Sequence, residues 1–451
     1  MFEFSILIGI YSYAIFLLGL IHFLNAFSLS IVSILFLFSC LYLSLRAVHR
    51  LPSFKSVQKL NIQEKLGALL IIVLSIVNFI GALGPETSFD ALWYHLTIPK
   101  IFILYNKIFF IPGGLLYYST MPKLVDILYI PALYFHVDFA TRLLSFSFYI
   151  LTLILIYITA RLLLPKWFSI LAVLIYASNL VVDWQATVSF IDSARTFFEC
   201  LSVYYLIKFI VEKREQDLTK IGVSLGLAVA TKILAIGSLF PVSVVLFVDG
   251  VNLKKIIKVI FISILIPFPW LVFSYIYTGY PFYPFFSSYF PSAPGIDLLA
   301  PIKLLRSPDP ISPIYFICLP LIFFYYKKFN IKIKYLFVYS MLSFIIWWIF
   351  PQTGGGRFIM AYLPAYSVLV AALLYYVNKK LAVFLVFIIF IIGTISTVYR
   401  FGANAKYLPF LLGQESRSAF LVKNLNYKFG DFYDTDNYFA NHIHSGDRVL
   451  T

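Results

Sequence analysis

The chain is 451 residues long, 61% hydrophobic and only 12% charged, with a mean hydropathy of +0.90. A water-soluble domain is about half apolar and about a quarter charged, so this composition excludes a soluble globular protein. The net charge of +15 does not signal nucleic acid, because the basic residues form short clusters between apolar runs, as loops beside a membrane do.

Continuous apolar runs, such as Leu69–Ile80, Ile150–Ile158 and Leu381–Ile395, recur along almost the whole chain. A spanning helix needs about 20 apolar residues, whereas strands of a membrane barrel alternate in polarity. The expected fold class is therefore an all-α polytopic membrane protein with about 11–13 transmembrane helices. Met1-Phe2-Glu3-Phe4 lacks a basic segment and a small-residue cleavage site, so it reads as the first helix, not a removable signal. In chain order the predicted spans lie near 4–22, 27–45, 65–84, 139–161, 167–183, 193–211, 218–235, 237–249, 257–277, 313–326, 333–350, 358–377 and 381–399. They divide into an N-terminal hairpin with a basic loop (1–64), a transmembrane core (65–400) and a tail (401–451). Cys40, Cys200 and Cys318 sit inside apolar runs without CxxC spacing and read as small buried hydrophobes.

When the spans are assigned alternate sides, the basic clusters fall together. Arg46, Arg50, Lys55 and Lys59 share a side with Arg161 and Lys166, with Lys213 and Arg214, with Lys254, Lys255 and Lys258, with Lys327, Lys328, Lys332 and Lys334, and with Lys379 and Lys380. The positive-inside rule makes that side cytoplasmic, with the N-terminus inside and the tail outside. The outer segments are then 85–138, 184–192, 278–312, the turn Pro351–Arg357 and the tail from Arg400. The tail closes on Gly446-Asp447-Arg448-Val449-Leu450-Thr451, a turn entering a strand, where either a truncated or a much reduced soluble domain is expected.

Polar chemistry concentrates on the outer side. The first outer segment opens with Glu86, Asp90 and His95, and Asp90 and Tyr94 share one helical face. The apolar stretches Ile101–Phe110 and Leu124–Phe135 are too short to span and read as interfacial helices. Carboxylates on interfacial helices suit an enzyme acting on a lipid with a polar head, although Glu86 is better explained as a helix cap or a solvated carboxylate. The second outer segment holds Asp183, Asp192 and Arg195. Asp192 is a reasonable helix cap. It also lies at the same membrane face as Asp90, and two carboxylates there could share a divalent cation or divide base and orienting roles. Lys232 falls inside an apolar helix near its outer end, where a charge is costly; it either snorkels or binds a lipid phosphate. Gln352-Thr353-Gly354-Gly355-Gly356-Arg357-Phe358 offers backbone amides and a guanidinium fork to an anion, without being a P-loop.

These residues together resemble the GT-C superfamily of membrane glycosyltransferases, which includes protein O-mannosyltransferases and the lipid A aminoarabinose transferase. The resemblance runs from about residue 65 to 420. It rests on Asp90 in Phe89-Asp90-Ala91-Leu92-Trp93-Tyr94-His95-Leu96, on Tyr118-Ser119-Thr120-Met121-Pro122, on Asp192, on Gly222–Lys232, on Pro269-Trp270 with Thr278–Pro284, and on Gly356-Arg357-Phe358 with Pro364. Ala91 stands where many members carry a second acidic residue, and Phe358 replaces the commoner Tyr; the first departure weakens the case for a metal at Asp90. The first two helices look like an addition to the family's core.

The resemblance implies transfer of a sugar from a polyprenyl-phosphate donor to an acceptor hydroxyl on a lipid, glycan or protein, with inversion, at the outer face of a bacterial inner membrane. It implies Asp90 as general base and Asp192 as the orienting residue, with a divalent cation on these two as the sole cofactor left open. Arg357 and Lys232 would stabilise the leaving phosphate, and Tyr94 and His95 are further substrate-binding candidates. Membrane lipids are implied as partners and nucleic acid is not. A transporter or flippase of lipid-linked or small polar substrates is the alternative, and it would place polar residues at mid-membrane in broken helices. A non-catalytic assembly factor is a third.

Overall fold

The computed structural model describes residues 1–48, 60–112, 116–285, 297–305, 310–349, 355–427, 430–431, 441–444 and 446–447. Arg50, Lys55 and Lys59 of the first basic cluster, Gln352, Thr353 and Gly354, and the terminal stretch Arg448–Thr451 lie outside the described residues.

Helices α1 (Phe2–Leu20) and α2 (Ala26–Val48) form an N-terminal hairpin, followed by α3 (Ile62–Leu83). The start of α3 is fixed by a capping box: Asn61 accepts from the Glu64 amide while Glu64 accepts from the Asn61 amide. The first long loop folds into a π-helical turn (Ala91–His95), α4 (Thr97–Leu104), a tight turn (Tyr117–Thr120) and α5 (Leu124–Tyr134). Then come α6 (Phe139–Arg161), α7 (Lys166–Ala177), α8 (Leu180–Gln185), α9 (Asp192–Glu212) and α10 (Gln216–Thr231). After a 3-10 segment (Ile233–Ser238) follow α11 (Leu239–Val248), α12 (Leu253–Leu265), α13 (Phe268–Thr278), α14 (Ala300–Lys303), α15 (Ile314–Tyr325) and α16 (Ile331–Ile349). The chain closes with α17 (Gly356–Ile359), α18 (Leu363–Tyr376), α19 (Lys379–Ala405), α20 (Leu408–Leu411), α21 (Arg417–Asn424) and a short antiparallel pair, Asn426–Tyr427 with Gly430–Asp431.

This is the expected all-helical membrane architecture. Among the described residues seven helices are long and apolar enough to cross a bilayer, or eight if α12 and α13, bent by 55°, make one span. The other expected spans exist as helices but are shorter or more charged. Helices α7 and α15 have 12 residues each, and α9 carries Asp192, Arg195, Glu199, Lys208 and Glu212 along its 21 residues. Prolines account for the bend: Pro267 and Pro269 lack the amide that would continue the α12 ladder.

The charged helix α9 is buried along nearly its whole length, packed by α6 and α10, so its polar groups meet protein instead of lipid. Helix α10 approaches α12 closely at Gly222 and Gly226, where an added Cβ would press on Ile262 and Ile266; small residues four apart are what let membrane helices meet. Helix α18 is buried just as fully against α7, α15 and α16. The N-terminal hairpin is more than an appendage. Ser12 Oγ donates to the Leu124 carbonyl at 2.6 Å, Tyr13 donates to the Ile266 carbonyl, and Phe16 packs on Trp270 with ring centroids 4.2 Å apart.

The outward faces carry Phe27, Leu37 and Phe38 on α2, Phe261 on α12, and Phe387 and Ile395 on α19, all more than half exposed. A continuous apolar exterior of this kind has lipid as its natural solvent, and the chain is an integral membrane protein. One end of the bundle is tied by basic pairs, Lys166 with Glu64 at 3.8 Å, Lys213 with Asp249 at 2.5 Å and Lys255 with Glu215 at 2.5 Å. The other end gathers the first loop, the starts of α6, α9 and α17, and the end of α10.

Candidate active site

At this second end the chain brings together residues that are far apart in sequence. Arg357 Nη1 lies 2.6 Å from Asp90 Oδ2, 267 positions away, and its Nε lies 3.7 Å from Asp192 Oδ2. Lys232 Nζ donates to Asp192 Oδ1 at 2.6 Å. Tyr94 donates to the Arg-bound oxygen of Asp90 at 3.4 Å. Of the residues singled out from the sequence, Asp90, Tyr94, Asp192, Lys232 and Arg357 therefore form one cluster of two carboxylates and two cations.

Local structure explains each position. The wide π-helical turn directs Asp90 and Tyr94 to one side, as their four-residue spacing predicted. Asp192 is the first residue of α9 and does not cap it; its carboxylate turns to Lys232 instead. Lys232 differs from expectation in being outside a helix. Helix α10 ends at Thr231 and Lys232 is extended (φ −149°, ψ 116°), which releases the side chain from the helix surface toward Asp192. Gly355, with φ +58°, turns the chain into α17 just ahead of Arg357. The Arg357 guanidinium lies over the rings of Phe190 and Phe358, at 5.1 and 5.5 Å, and Lys232 lies 4.5 Å from the Phe358 centroid.

The cluster is only partly satisfied. Asp192 Oδ2 and Arg357 Nε are buried without a hydrogen-bond partner, although they face each other at 3.7 Å. Buried polar groups are nearly always paired, so this gap is a natural place for a polar ligand. Asp90 keeps 22% of its side chain exposed and is the open edge of the cluster.

His95 behaves differently from the sequence expectation of substrate contact. It is buried and its Nδ1 lies 2.8 Å from Asp126 Oδ1, while Lys123 Nζ donates to Asp126 Oδ2 at 2.9 Å. Burial alone would push the Asp126 carboxyl upward, but Lys123 and His95 outweigh it and hold it below the usual carboxylate value. This network braces the turn that carries Asp90. Its signal in the sequence was a lysine and an aspartate three positions apart at the start of an apolar stretch. Tyr94 stacks on Tyr118 with centroids 4.4 Å apart. Glu86 is structural, accepting from the Thr87, Ser88 and Ser189 amides, and so ties the first loop to the second. Arg142, a cation inside an apolar run, is buried and donates to the carbonyls of Pro85 and Thr187, each at 2.6 Å, holding the same two loops. Cys40, Cys200 and Cys318 are free.

Residues 127–273 match the family model described as dolichyl-phosphate-mannose-protein mannosyltransferase; this stretch includes Asp192 and Lys232. Among solved structures the chain is similar to ArnT from Cupriavidus metallidurans bound to undecaprenyl phosphate. The identity is 13%, the match covers 77% of this chain and 70% of that one, and the TM-score is 0.54. For apo ArnT the coverage and identity are the same and the TM-score is 0.53. The archaeal oligosaccharyltransferase AglB from Archaeoglobus fulgidus matches more loosely, at 12% identity over 75% of this chain and 55% of that one, with a TM-score of 0.45. No curated protein matches the sequence. The likeness to ArnT shows the GT-C fold. Within that fold, residues 127–273 carry the match to the mannosyltransferase family model, and Asp192 and Lys232 of the charged cluster fall inside it.

Proposed function

We propose that this chain moves a sugar from a polyprenyl-phosphate donor to an acceptor hydroxyl, with inversion, at the Asp90–Arg357 end of the bundle. The observation that carries the reading is Arg357 standing between Asp90 and Asp192 with Lys232 behind. A lipid phosphate arriving at the membrane boundary finds two cations whose charges are balanced by two carboxylates. By competing for Arg357, the phosphate frees Asp90 from its ion pair. Asp90 then accepts the acceptor hydroxyl's proton as the oxygen attacks the anomeric carbon. The bond from that carbon to the phosphate oxygen breaks, and polyprenyl phosphate departs with the electron pair. Arg357 and Lys232 stabilise its added negative charge from positions fixed before the reaction. Asp192 holds both cations in place. The one-sided basic loops support an outer-face position for this end, and on this reading the membrane is a bacterial inner membrane.

Asp90 and Asp192 fit a divalent cation poorly. Both converge on a guanidinium, and among the described residues no group of three or more His, Cys, Asp or Glu side chains gathers to hold an ion. On this reading Arg357 and Lys232 supply the positive charge, and transfer proceeds unchanged in excess EDTA. A loss of activity restored by magnesium or manganese would count against it.

The test is sugar release from radiolabelled polyprenyl-phosphate sugars by purified protein in liposomes, comparing wild type with Arg357→Lys. Lysine keeps the charge but cannot face both carboxylates at once, and a loss of about 10²-fold or more in kcat is expected. Wild-type protein inert toward a broad donor panel, or a fully active variant, would sink the reading.

A further inference from the structure

The turn that carries Asp90 has a second face. Asp90 and Tyr94 point to the charged cluster, while Phe89, Leu92, Trp93 and Leu96 line a separate cavity of about 810 Å³. Across it stand Leu421 and Leu425 of the tail. The volume is within the usual range for a ligand site, roughly 300–1,000 Å³. We propose that this cavity holds the hydrocarbon chain of an anionic lipid acceptor, whose headgroup hydroxyl reaches Asp90 around the edge of the turn. The inference rests on the sugar-transfer reading above and names the acceptor's class.

Several features select this occupant. The walls are apolar, and the neighbouring Phe135, Val137 and Phe139, at the start of a membrane-length helix, are each more than a third exposed. The cavity therefore opens where a lipid chain can enter from the bilayer. Its charged lining sorts into satisfied and unsatisfied groups. Glu86 is consumed by backbone amides and lies 3.9 Å from Arg142. Asp138 is paired with Arg417 at 2.6 Å. Lys100 is exposed and has no ion pair among the described residues, which leaves the cavity one uncompensated positive charge. An amphiphile with a single negative charge complements both parts. The donor's phosphate has Lys232 and Arg357 on the other face of the turn, so the negative charge that Lys100 calls for belongs to a second amphiphile.

The experiment uses the full chain in phosphatidylcholine nanodiscs doped with phosphatidylglycerol, an anionic lipid with free hydroxyls. Two readouts are taken: transfer from a labelled polyprenyl-phosphate sugar, and crosslinking by a phosphatidylglycerol with a diazirine in its acyl chain. Crosslinks are expected on segments 89–96 and 421–425. Lys100→Glu and Leu421→Trp, which reverse the charge and fill the space, are expected to raise the KM for phosphatidylglycerol about tenfold. Donor hydrolysis in its absence should stay at the wild-type level. The inference is overturned if crosslinks avoid both segments, or if the variants leave that KM unchanged. Transfer to water-soluble peptides or glycans alone overturns it as well. A wild-type protein that cleaves no donor refutes the transferase reading instead, and the crosslinks then decide the cavity by themselves.

Discussion

Asp90→Asn is expected to lower sugar transfer by about 10²–10⁴-fold, the range for removing a positioned general base. The folded yield should be unchanged. Asparagine is nearly isosteric with aspartate, and its carbonyl oxygen can still accept from Arg357 Nη1, which sits 2.6 Å from Asp90 Oδ2. Position 90 is also partly exposed, so no buried charge is stranded by the change. What disappears is the capacity to take a proton. The kinetic signature should be a fall in kcat with the donor KM held or reduced, because Arg357 no longer divides its charge between a carboxylate and the donor phosphate. The measurement is steady-state transfer by purified protein, with thermal unfolding as the control. A variant with wild-type kcat would remove Asp90 from the role of base, whereas a wild-type protein that transfers no sugar, in cells indifferent to Asp90→Asn, would move the chain into the assembly-factor reading.

The Asp90 cluster was legible in the sequence because charge is rare in this chain. With only 12% charged residues, Asp90, Asp192, Lys232 and Arg357 stand out at the ends of apolar runs on the side opposite the basic loops. Their partnerships were not legible, since pairing Asp90 with Arg357 depends on how α17 returns to the first loop across 267 positions. The break at Lys232 was hidden for a related reason. Residues 233–248 stay apolar, so hydropathy runs through the point where α10 stops and the chain extends. The span count differs because apolar runs do not show where helices stop: α7 and α15 have only 12 residues each, and α9, expected as a span, carries more charge than a lipid-facing helix. Helix α9 crosses the interior with an internal Arg195–Glu199 pair at 2.6 Å that neutralises its own charge. His95 was read as a substrate contact for want of any sign that Asp126 would face it from α5. The embedding of α1 beside Trp270 likewise appears only once α12 and α13 are bent toward it.

The second large effect concerns Asp126, which touches no proposed substrate. Asp126→Ala leaves the Lys123 ammonium and the His95 imidazole buried, at 3% and 2% exposure, without their shared acceptor. Removing one partner of a buried pair costs about 3–5 kcal/mol, because the remaining charge has neither water nor counter-ion. A clear fall in the thermal midpoint is expected, measured by fluorescence-detected size exclusion after heating. Changing both charges, Lys123→Met with Asp126→Leu, should recover most of the loss, since apolar groups of similar volume often replace buried pairs at little cost. Equal destabilisation of the single and double variants would show that packing, and not charge, holds α5 to the π-helical turn. The same pair gives a pH dependence of known sign. Asp126 is held below its unfolded value, so its contribution is complete above about pH 4 and is lost as the pH falls through its lower folded value. Activity should follow stability in this respect, because His95 adjoins Tyr94 on the turn that aims Asp90. The Lys123–Asp126–His95 network thus sets where the proposed base stands: His95 and Lys123 lie against the Tyr94 ring, with centroid distances of 4.2 and 5.9 Å.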